Sequence, residues 1–91
     1  MKLVEIYTKN WCGYCRMAKL LLNKLQIPYQ EIEISDHADK EKEMIERAGK
    51  RTVPQIFINR QPIGGFHELS RLTLTGEINS LIDESERGKT L

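Results

Sequence analysis

The sequence predicts an α/β domain, because segments with the period of a strand alternate with segments of helical period along its 91 residues. Residues 3–7 form a short apolar run that predicts a buried first strand. The full predicted order is strand, helix, strand, helix, strand, strand, helix. This length suits one domain over residues 1–91, and we expect the polar residues 84–91 to fray as a terminal tail.

Apolar residues then repeat with helical spacing and predict the first helix. The residues at i, i+3, i+4 and i+7 are Ala18, Leu21, Leu22 and Leu25. Met17 and Leu20 widen this apolar face, and we expect Met17 in the core, like Met44 of the next helix. Pro28 predicts the end of the first helix. Residues 29–34 alternate between apolar and charged side chains, as a half-buried strand does.

Cap residues and glycines delimit the remaining helices. Ser35 or Asp36 is expected to cap the second helix, and Gly49 to end it in the left-handed conformation. Gly76 divides the final helical region into two short segments. The apolar residues that predict these segments are Leu69, Leu72, Ile78, Leu81 and Ile82.

A hairpin is predicted between the second and third helices. Residues 56–58 are apolar and predict a buried strand, residues 59–60 predict a turn, and residues 61–64 return as the partner strand. Pro62 has no N–H to donate to a hydrogen-bond ladder. The returning strand is therefore expected at the edge of the sheet.

The charge balance and hydropathy of the chain exclude two classes of partner. The formal net charge is +1, with 30% charged and 40% hydrophobic residues, whereas a nucleic-acid-binding domain normally carries an excess of basic residues. The run Leu20-Leu21-Leu22 is far below the roughly 18 apolar residues that a membrane span needs. No signal-peptide core follows Lys2. We therefore predict a cytoplasmic protein that binds neither nucleic acid nor membrane.

Both cysteines, Cys12 and Cys15, lie in one Cys-x-x-Cys motif between the first strand and the first helix. A structural zinc site needs four ligands, and His37 and His67 are too far apart in sequence to supply a ligand pair. A structural disulfide in this motif would close a very short loop and remove little chain entropy. A redox pair is the third interpretation, and the position of the motif favours it.

The predicted helix start gives the two cysteines different roles. Cys12 would lie where unpaired backbone N–H groups and the helix dipole stabilise a thiolate, with Lys9 and Arg16 adding positive charge. A lowered pKa increases the fraction of Cys12 thiolate that can attack a disulfide near neutral pH. Cys15 would follow one turn later on the same helical face, where its thiol can resolve a mixed disulfide formed at Cys12.

Four separated segments together resemble the glutaredoxin family. They are Tyr7-Thr8-Lys9, the Cys-x-Tyr-Cys motif, the RTVPQIFI sequence of residues 51–58, and Ile63-Gly64-Gly65. The resemblance implies a thioredoxin fold with a four-stranded mixed sheet and helices on both faces. It also implies a glutathione-disulfide oxidoreductase with glutathione as reductant. Its partners would be disulfide or glutathionylated proteins, with ribonucleotide reductase as one possibility at the level of the family.

The same resemblance implies roles for single residues, with the first cysteine of the motif as nucleophile and the second as resolving thiol. Pro54 is expected in the cis form, which would turn the preceding backbone toward the cysteinyl backbone of glutathione. The amides of Phe66 and His67 would face the γ-glutamyl carboxylate, and Lys9 and Arg51 the glycyl carboxylate. The residues implied to bind glutathione are Lys9, Tyr14, Arg51, Thr52, Val53, Pro54, Gly65, Phe66, His67 and Glu68.

Departures from the family pattern keep two alternatives open. Gly13 stands where many dithiol members have proline, and members without that proline can form dimers around a [2Fe–2S] cluster held by two glutathione molecules and one cysteine per chain. Cys12 would then be a cluster ligand and the chain a dimer, whereas we otherwise expect a monomer. The run Trp11-Cys12-Gly13 is similar to thioredoxins and implies, as the other alternative, a reductase-dependent electron donor. Glu68 stands where Asp is more common, which changes the reach of that carboxylate.

Overall fold

The computed structural model describes residues 3–82, which form a four-stranded mixed sheet with helices on both faces, as predicted. The strands are β1 (Val4–Thr8), β2 (Tyr29–Glu33), β3 (Gln55–Ile58) and β4 (Gln61–Gly64). The helices are α1 (Gly13–Lys24), α2 (Ala38–Ala48) and α3 (Phe66–Thr75), and residues 77–82 are also helical. The tail predicted over residues 84–91 lies outside the described residues. Within residues 3–82, no helix combines the length and the apolar character that a membrane crossing requires.

The central strand of the sheet is β1, in the order β2-β1-β3-β4. It pairs in parallel with β2 and antiparallel with β3, and β3 continues into β4 as the predicted hairpin. Asn59 and Arg60 form the turn with φ of 51° and 68°. Positive φ at both central positions is typical of the type I′ turns that join twisted strands. Pro62 lies on the edge strand β4, as predicted, where its missing N–H breaks no central ladder.

Alternation along β1 divides the core between the two faces of the sheet. The layer under α1 and α3 contains the buried residues Val4, Ile6, Ala18, Leu22, Ile56, Ile58, Leu69 and Ile78. On the α2 face, the rings of Tyr7 and Phe57 meet edge-on with 5.7 Å between centroids, and both pack with Ile34 and Met44. The predicted place of Met44 in the core is therefore confirmed.

A polar cluster on the α2 face is paired internally. Arg47 donates two hydrogen bonds to the Glu5 carboxylate, at 3.2 and 2.8 Å, and another to the Tyr7 hydroxyl at 2.8 Å. That hydroxyl donates to Glu43, and the guanidinium lies 4.1 Å from the Phe57 ring centroid. Burial, followed by the bond to Glu43, raises the pKa of Tyr7 to about 12. The Tyr7 phenol therefore stays protonated at neutral pH, and the hydrogen bonds described here persist. These four polar residues are termed the Arg47 cluster (Glu5, Tyr7, Glu43 and Arg47).

The prediction for the apolar face of α1 is wrong for Met17 and Leu20, and also for Leu25 at the end of the helix. Met17, expected in the core, and Leu20, expected on the apolar face, are both exposed. The face of α1 that packs on the sheet is centred on Cys15, Ala18 and Leu22. Successive residues of a helix are rotated by about 100°, so the residue before Ala18 points away from this face. The apolar arc of the sequence is wider than the surface that the sheet and α3 cover.

Left-handed residues end the helices, and α1 stops before Pro28. Gln26 adopts a φ of 58°, and two N–H groups after α1 bond back to carbonyls of its last turn at 3.0 and 2.9 Å, as in a Schellman motif. Leu25 is the C-cap of α1 and is exposed instead of packing on the predicted apolar face. Gly49 ends α2 with a φ of 72°, and Gly76 follows α3 with a φ of 81°, both as predicted.

The start of α2 differs from the prediction. Its N-cap is His37, which makes no side-chain capping hydrogen bond, so the expected cap at Ser35 or Asp36 is wrong. The Ser35 hydroxyl accepts the backbone N–H of Asn10 at 2.8 Å instead. This hydrogen bond ties the loop before α2 to the loop before α1.

Candidate active site around Cys12

The two cysteines occupy the start of α1 with unequal exposure. Cys12 is the N-cap residue, with φ of −103° and ψ of 109°, and its sulfur accepts the Cys15 backbone N–H at 3.2 Å. Cys12 is partly exposed, whereas only 2% of the Cys15 surface is exposed. The two sulfurs are joined as a disulfide. An external thiol or disulfide therefore has access to Cys12 but not to Cys15.

The helix start makes the surroundings of Cys12 electropositive. The first turn of α1 contains no acidic residue, and its N–H groups without intrahelical partners favour a negative charge. Lys9 and Arg16 line a depression on one side of Cys12. The Lys9 ammonium forms an ion pair with Glu41 at 3.1 Å, which offsets its charge. Lys19, Glu31 and Glu33 line the same depression, so the start of α1 is the feature that favours a negative charge on the Cys12 sulfur.

The loop before β3 forms the opposite wall of the site. The Val53–Pro54 peptide bond is cis, as the resemblance implies. The Val53 carbonyl oxygen lies 3.8 Å from the Cys12 sulfur, and the Val53 N–H has no hydrogen-bond partner among the described residues. The Gln55 side-chain amide donates to the carbonyl and hydroxyl oxygens of Thr52 at 2.9 and 3.1 Å. The loop is thereby fixed with backbone polar groups open beside the sulfur.

The start of α3 forms the third wall. Glu68 accepts the backbone N–H of the N-cap residue Gly65 at 2.7 Å, and this hydrogen bond lowers the pKa of the Glu68 carboxyl. Gly64 has a φ of 118°, and a Cβ at this position would lie 2.8 Å from a Glu68 carboxylate oxygen. The turn therefore requires glycine at this position. The N–H groups of Phe66 and His67, in the first turn, lack intrahelical partners and are suited to binding an anion.

The walls enclose a groove of about 190 Å³ beside Cys12. Its lining residues are Tyr14, Lys50, Thr52, Val53, Pro54, Gln55, Gly65, Phe66, His67 and Glu68. The ring of Tyr14 forms the rim, with its centroid 6.0 Å from that of Phe66 and 5.3 Å from that of His67. The groove thus offers a short peptide both aromatic surface and open backbone groups.

The structure brings eight of the ten predicted glutathione-binding residues to the groove. The other two do not line it, because Lys9 lies in the depression that also contains Trp11, and Arg51 is exposed. Sequence reasoning missed Lys50 and Gln55. The sequence contains two adjacent cations before the proline loop, but nothing in it indicates which of them reaches the groove. A polar residue directly after the proline in an otherwise apolar strand is the signal that could have found Gln55.

A metal site receives no support from the described residues. Within residues 3–82, no three His, Cys, Asp or Glu side chains are grouped as metal ligands. The Cys12 sulfur is bonded to Cys15. No contact in this part of the chain favours the iron–sulfur alternative.

Comparison with known proteins agrees with this geometry. The family model described as Glutaredoxin matches residues 4–63. Glutaredoxin 3 of Escherichia coli K12 is 48% identical over 79 residues, which cover 87% of this chain and 95% of that protein. Among solved structures, the holo form of glutaredoxin C1 from Populus tremula x tremuloides has a TM-score of 0.81 at 27% identity, over 91% of this chain and 85% of that one. The buckwheat glutaredoxin–glutathione complex has a TM-score of 0.81 at 29% identity, over 91% of this chain and 78% of that one. The chain therefore belongs to the glutaredoxin family of thiol–disulfide oxidoreductases, with the thioredoxin fold.

Proposed function

We propose that this chain reduces glutathione mixed disulfides and protein disulfides with electrons from glutathione. The observation that supports the proposal is the position of Val53, which lines the groove and whose carbonyl oxygen lies 3.8 Å from the accessible Cys12 sulfur. The buckwheat relative with a similar fold is described as a complex with glutathione, which supports the same ligand for this groove. No contact within residues 3–82 favours the alternative of a thioredoxin-like electron donor that depends on a reductase.

The chemistry of glutathione matches the groove along its length. The N–H and C=O of its cysteinyl residue can pair with the Val53 backbone as a short antiparallel ladder. Its γ-glutamyl carboxylate can accept from the first-turn amides of Phe66 and His67. Lys50 adds positive charge near the same end, since its charge helps to lower the pKa of Glu68. The tripeptide is thereby oriented with its sulfur toward Cys12.

The reaction with a glutathionylated protein is two thiol–disulfide exchanges. The Cys12 thiolate attacks the glutathione sulfur, which forms a Cys12–glutathione disulfide and releases the protein thiolate to take up a proton. The thiolate of a second glutathione then attacks the glutathione sulfur of that mixed disulfide. The products are oxidised glutathione and the regenerated Cys12 thiolate, so that one free glutathione thiol is consumed for each protein thiol released.

With a protein disulfide, Cys15 completes the reaction. Cys12 attacks one sulfur of the substrate and forms a mixed disulfide with the protein. The Cys15 thiol, one turn into α1, loses its proton and attacks the Cys12 sulfur. The reduced protein leaves and the Cys12–Cys15 disulfide forms. Two molecules of glutathione return this disulfide to the dithiol.

The test is a coupled assay with glutathione, glutathione reductase and NADPH on cysteine–glutathione disulfide. Cys12→Ser should reduce the rate to that of the uncatalysed reaction, because the attacking sulfur is lost. Cys15→Ser should keep activity on this substrate and lose it on a protein disulfide such as insulin. Activity supported only by a thioredoxin reductase would instead establish the reductase-dependent alternative. A brown, anaerobically purified dimer that loses its colour on Cys12→Ser would establish the iron–sulfur alternative.

A further inference from the structure

Gln55, the first residue of β3, is a polar residue in an otherwise apolar strand that is buried along its length. Only 2% of its surface is exposed. Its backbone is paired with Tyr7 of the central strand β1, which fixes the point where the side chain begins. Burial of an amide is unfavourable unless the amide finds hydrogen-bond partners. The position therefore requires a partner close by, and the loop that precedes β3 supplies it.

The partner of the Gln55 amide is Thr52, three residues earlier in the chain. The amide nitrogen donates to the Thr52 carbonyl oxygen at 2.9 Å and to the Thr52 hydroxyl oxygen at 3.1 Å. A side-chain amide nitrogen carries two hydrogens, so these two bonds use both of its donors. Thr52 is exposed and Gln55 is buried. The Thr52 carbonyl is therefore directed inward, toward the start of β3.

The direction of the Thr52 carbonyl determines the direction of the Val53 N–H, because both groups belong to one planar peptide unit. Within residues 3–82 the only cis peptide bond is Val53–Pro54, so the Thr52–Val53 bond is trans. The C=O and N–H of a trans peptide point in opposite directions. With the carbonyl directed inward, the Val53 N–H points outward. It has no hydrogen-bond partner within residues 3–82, and Val53 lines the groove.

We propose that Gln55 is a positioning residue that orients the Val53 N–H for the cysteinyl carbonyl of glutathione. This inference rests on the proposed function, in which the Val53 backbone pairs with the tripeptide. Gln55 acts through the Thr52–Val53 peptide and does not itself need to touch the ligand. Without the Gln55 amide that peptide is free to rotate, and glutathione has to order it on binding. The native protein avoids this cost because the N–H is already oriented.

The test compares two mixed disulfides of Cys12 in the full chain with Cys15→Ser, where Cys12 cannot pair with Cys15. Equilibration with reduced and oxidised glutathione gives the constant for the Cys12–glutathione disulfide. Equilibration with 2-mercaptoethanol and its disulfide gives the constant for an adduct that has no peptide backbone. Acid quenching and mass spectrometry measure the fraction of each adduct. The ratio of the two constants reports binding of the tripeptide, because a change in Cys12 thiolate affects both constants alike.

Gln55→Met keeps the length of the side chain without its N–H donors. It should lower the ratio about fivefold, with the 2-mercaptoethanol constant unchanged. Gln55→Asn keeps a polar amide but moves its donors back by one methylene, and should lower the ratio in the same direction. The matched control is Ile56→Val, at the next buried position of β3, which should destabilise the fold and leave the ratio unchanged.

Hydrogen exchange of the Val53 amide provides a direct second measurement. Glutathionylation of Cys12 should slow this exchange when Gln55 is present, and should slow it less in Gln55→Met. An unchanged ratio in both Gln55 variants, or equal losses with glutathione and 2-mercaptoethanol, would overturn the inference. An equal fall of the ratio in Ile56→Val would assign the effect to stability and would also overturn it. Failure of the proposed function is a separate result, namely no preference for glutathione over 2-mercaptoethanol while Gln55 is present.

Discussion

Two polar regions of this protein differ in how their hydrogen-bonding groups are used. In the Arg47 cluster, the guanidinium, the Glu5 carboxylate and the Tyr7 hydroxyl are bonded to one another. In the groove beside Cys12, the N–H groups of Val53, Phe66 and His67 have no such partners within residues 3–82. Internal pairing stabilises the fold, and open groups leave binding energy for a ligand. Substitutions in the two regions should therefore change different measurements.

The largest expected effect is on stability, from Arg47→Met. The substitution leaves the Glu5 carboxylate, with 10% of its side chain exposed, without its partner, and we expect the free energy of unfolding to fall by about 2–3 kcal/mol. Urea denaturation measures this change. Arg60→Met is the control, because Arg60 lines a surface cleft together with Glu5, Glu43 and Arg47 but makes none of the cluster's hydrogen bonds. Unchanged kcat/KM on cysteine–glutathione disulfide would show that the Arg47 cluster stabilises the fold without affecting the groove, and a large loss would contradict this.

Gly64→Ala should affect both stability and binding. The new Cβ would lie too close to the Glu68 carboxylate, and alanine is strained at the φ of 118° that this position requires. We therefore expect the free energy of unfolding to fall by about 1–2 kcal/mol. The KM for glutathione should rise because the start of α3 is displaced. Gly13→Ala is the control, since a Cβ there meets nothing within 4 Å. It should stabilise the helix start by about 0.5 kcal/mol. A neutral Gly64→Ala would show that the turn does not depend on glycine.

Lys50→Gln should weaken glutathione binding and leave stability unchanged. Lys50 lines the groove, and loss of one charge near a bound carboxylate should raise the KM for glutathione about threefold. The neighbouring Arg51→Gln is a closely matched control, because it removes the same charge from a residue that does not line the groove. If Arg51→Gln has the larger effect on KM, the sequence-based assignment of the glycyl carboxylate is the better one.

Glu68→Gln should give the smallest change, with a defined dependence on pH. The folded-state pKa of Glu68 is lowered by the Gly65 N–H, so the ionised carboxylate stabilises the fold above the unfolded-state pKa of about 4.3. That contribution is lost as the pH falls through the lowered value. We expect a cost of about 0.5 kcal/mol at neutral pH, with the variant and wild-type curves converging in acid. Glu46→Gln, at an exposed position on α2, should show no such difference.

The fold and most of the groove could be predicted because their signals are local. Gly49 and Gly76 end helices where only a left-handed residue fits easily, and Pro62 marks an edge strand. The loop of residues 52–54 and the start of α3 are continuous motifs, so the resemblance predicted the position of each motif as a whole.

Features that depend on distant parts of the chain could not be predicted. Lys9 pairs with Glu41, and Arg47 with Glu5, across long stretches of sequence. The periodicity of the sequence does not indicate which distant charged residues form ion pairs. The exposure of Leu20 likewise depends on how much of α1 the sheet and α3 cover, which is a property of the assembled layers.

The two edges of the sheet bear on self-association through backbone pairing. β4 has only four residues and includes a proline, and β2 carries two carboxylates, Glu31 and Glu33, along its five residues. Short, charged or proline-bearing margins resist the addition of a foreign strand. Fibril-like stacking of one molecule on the next is thereby disfavoured at both margins, even when the protein is concentrated.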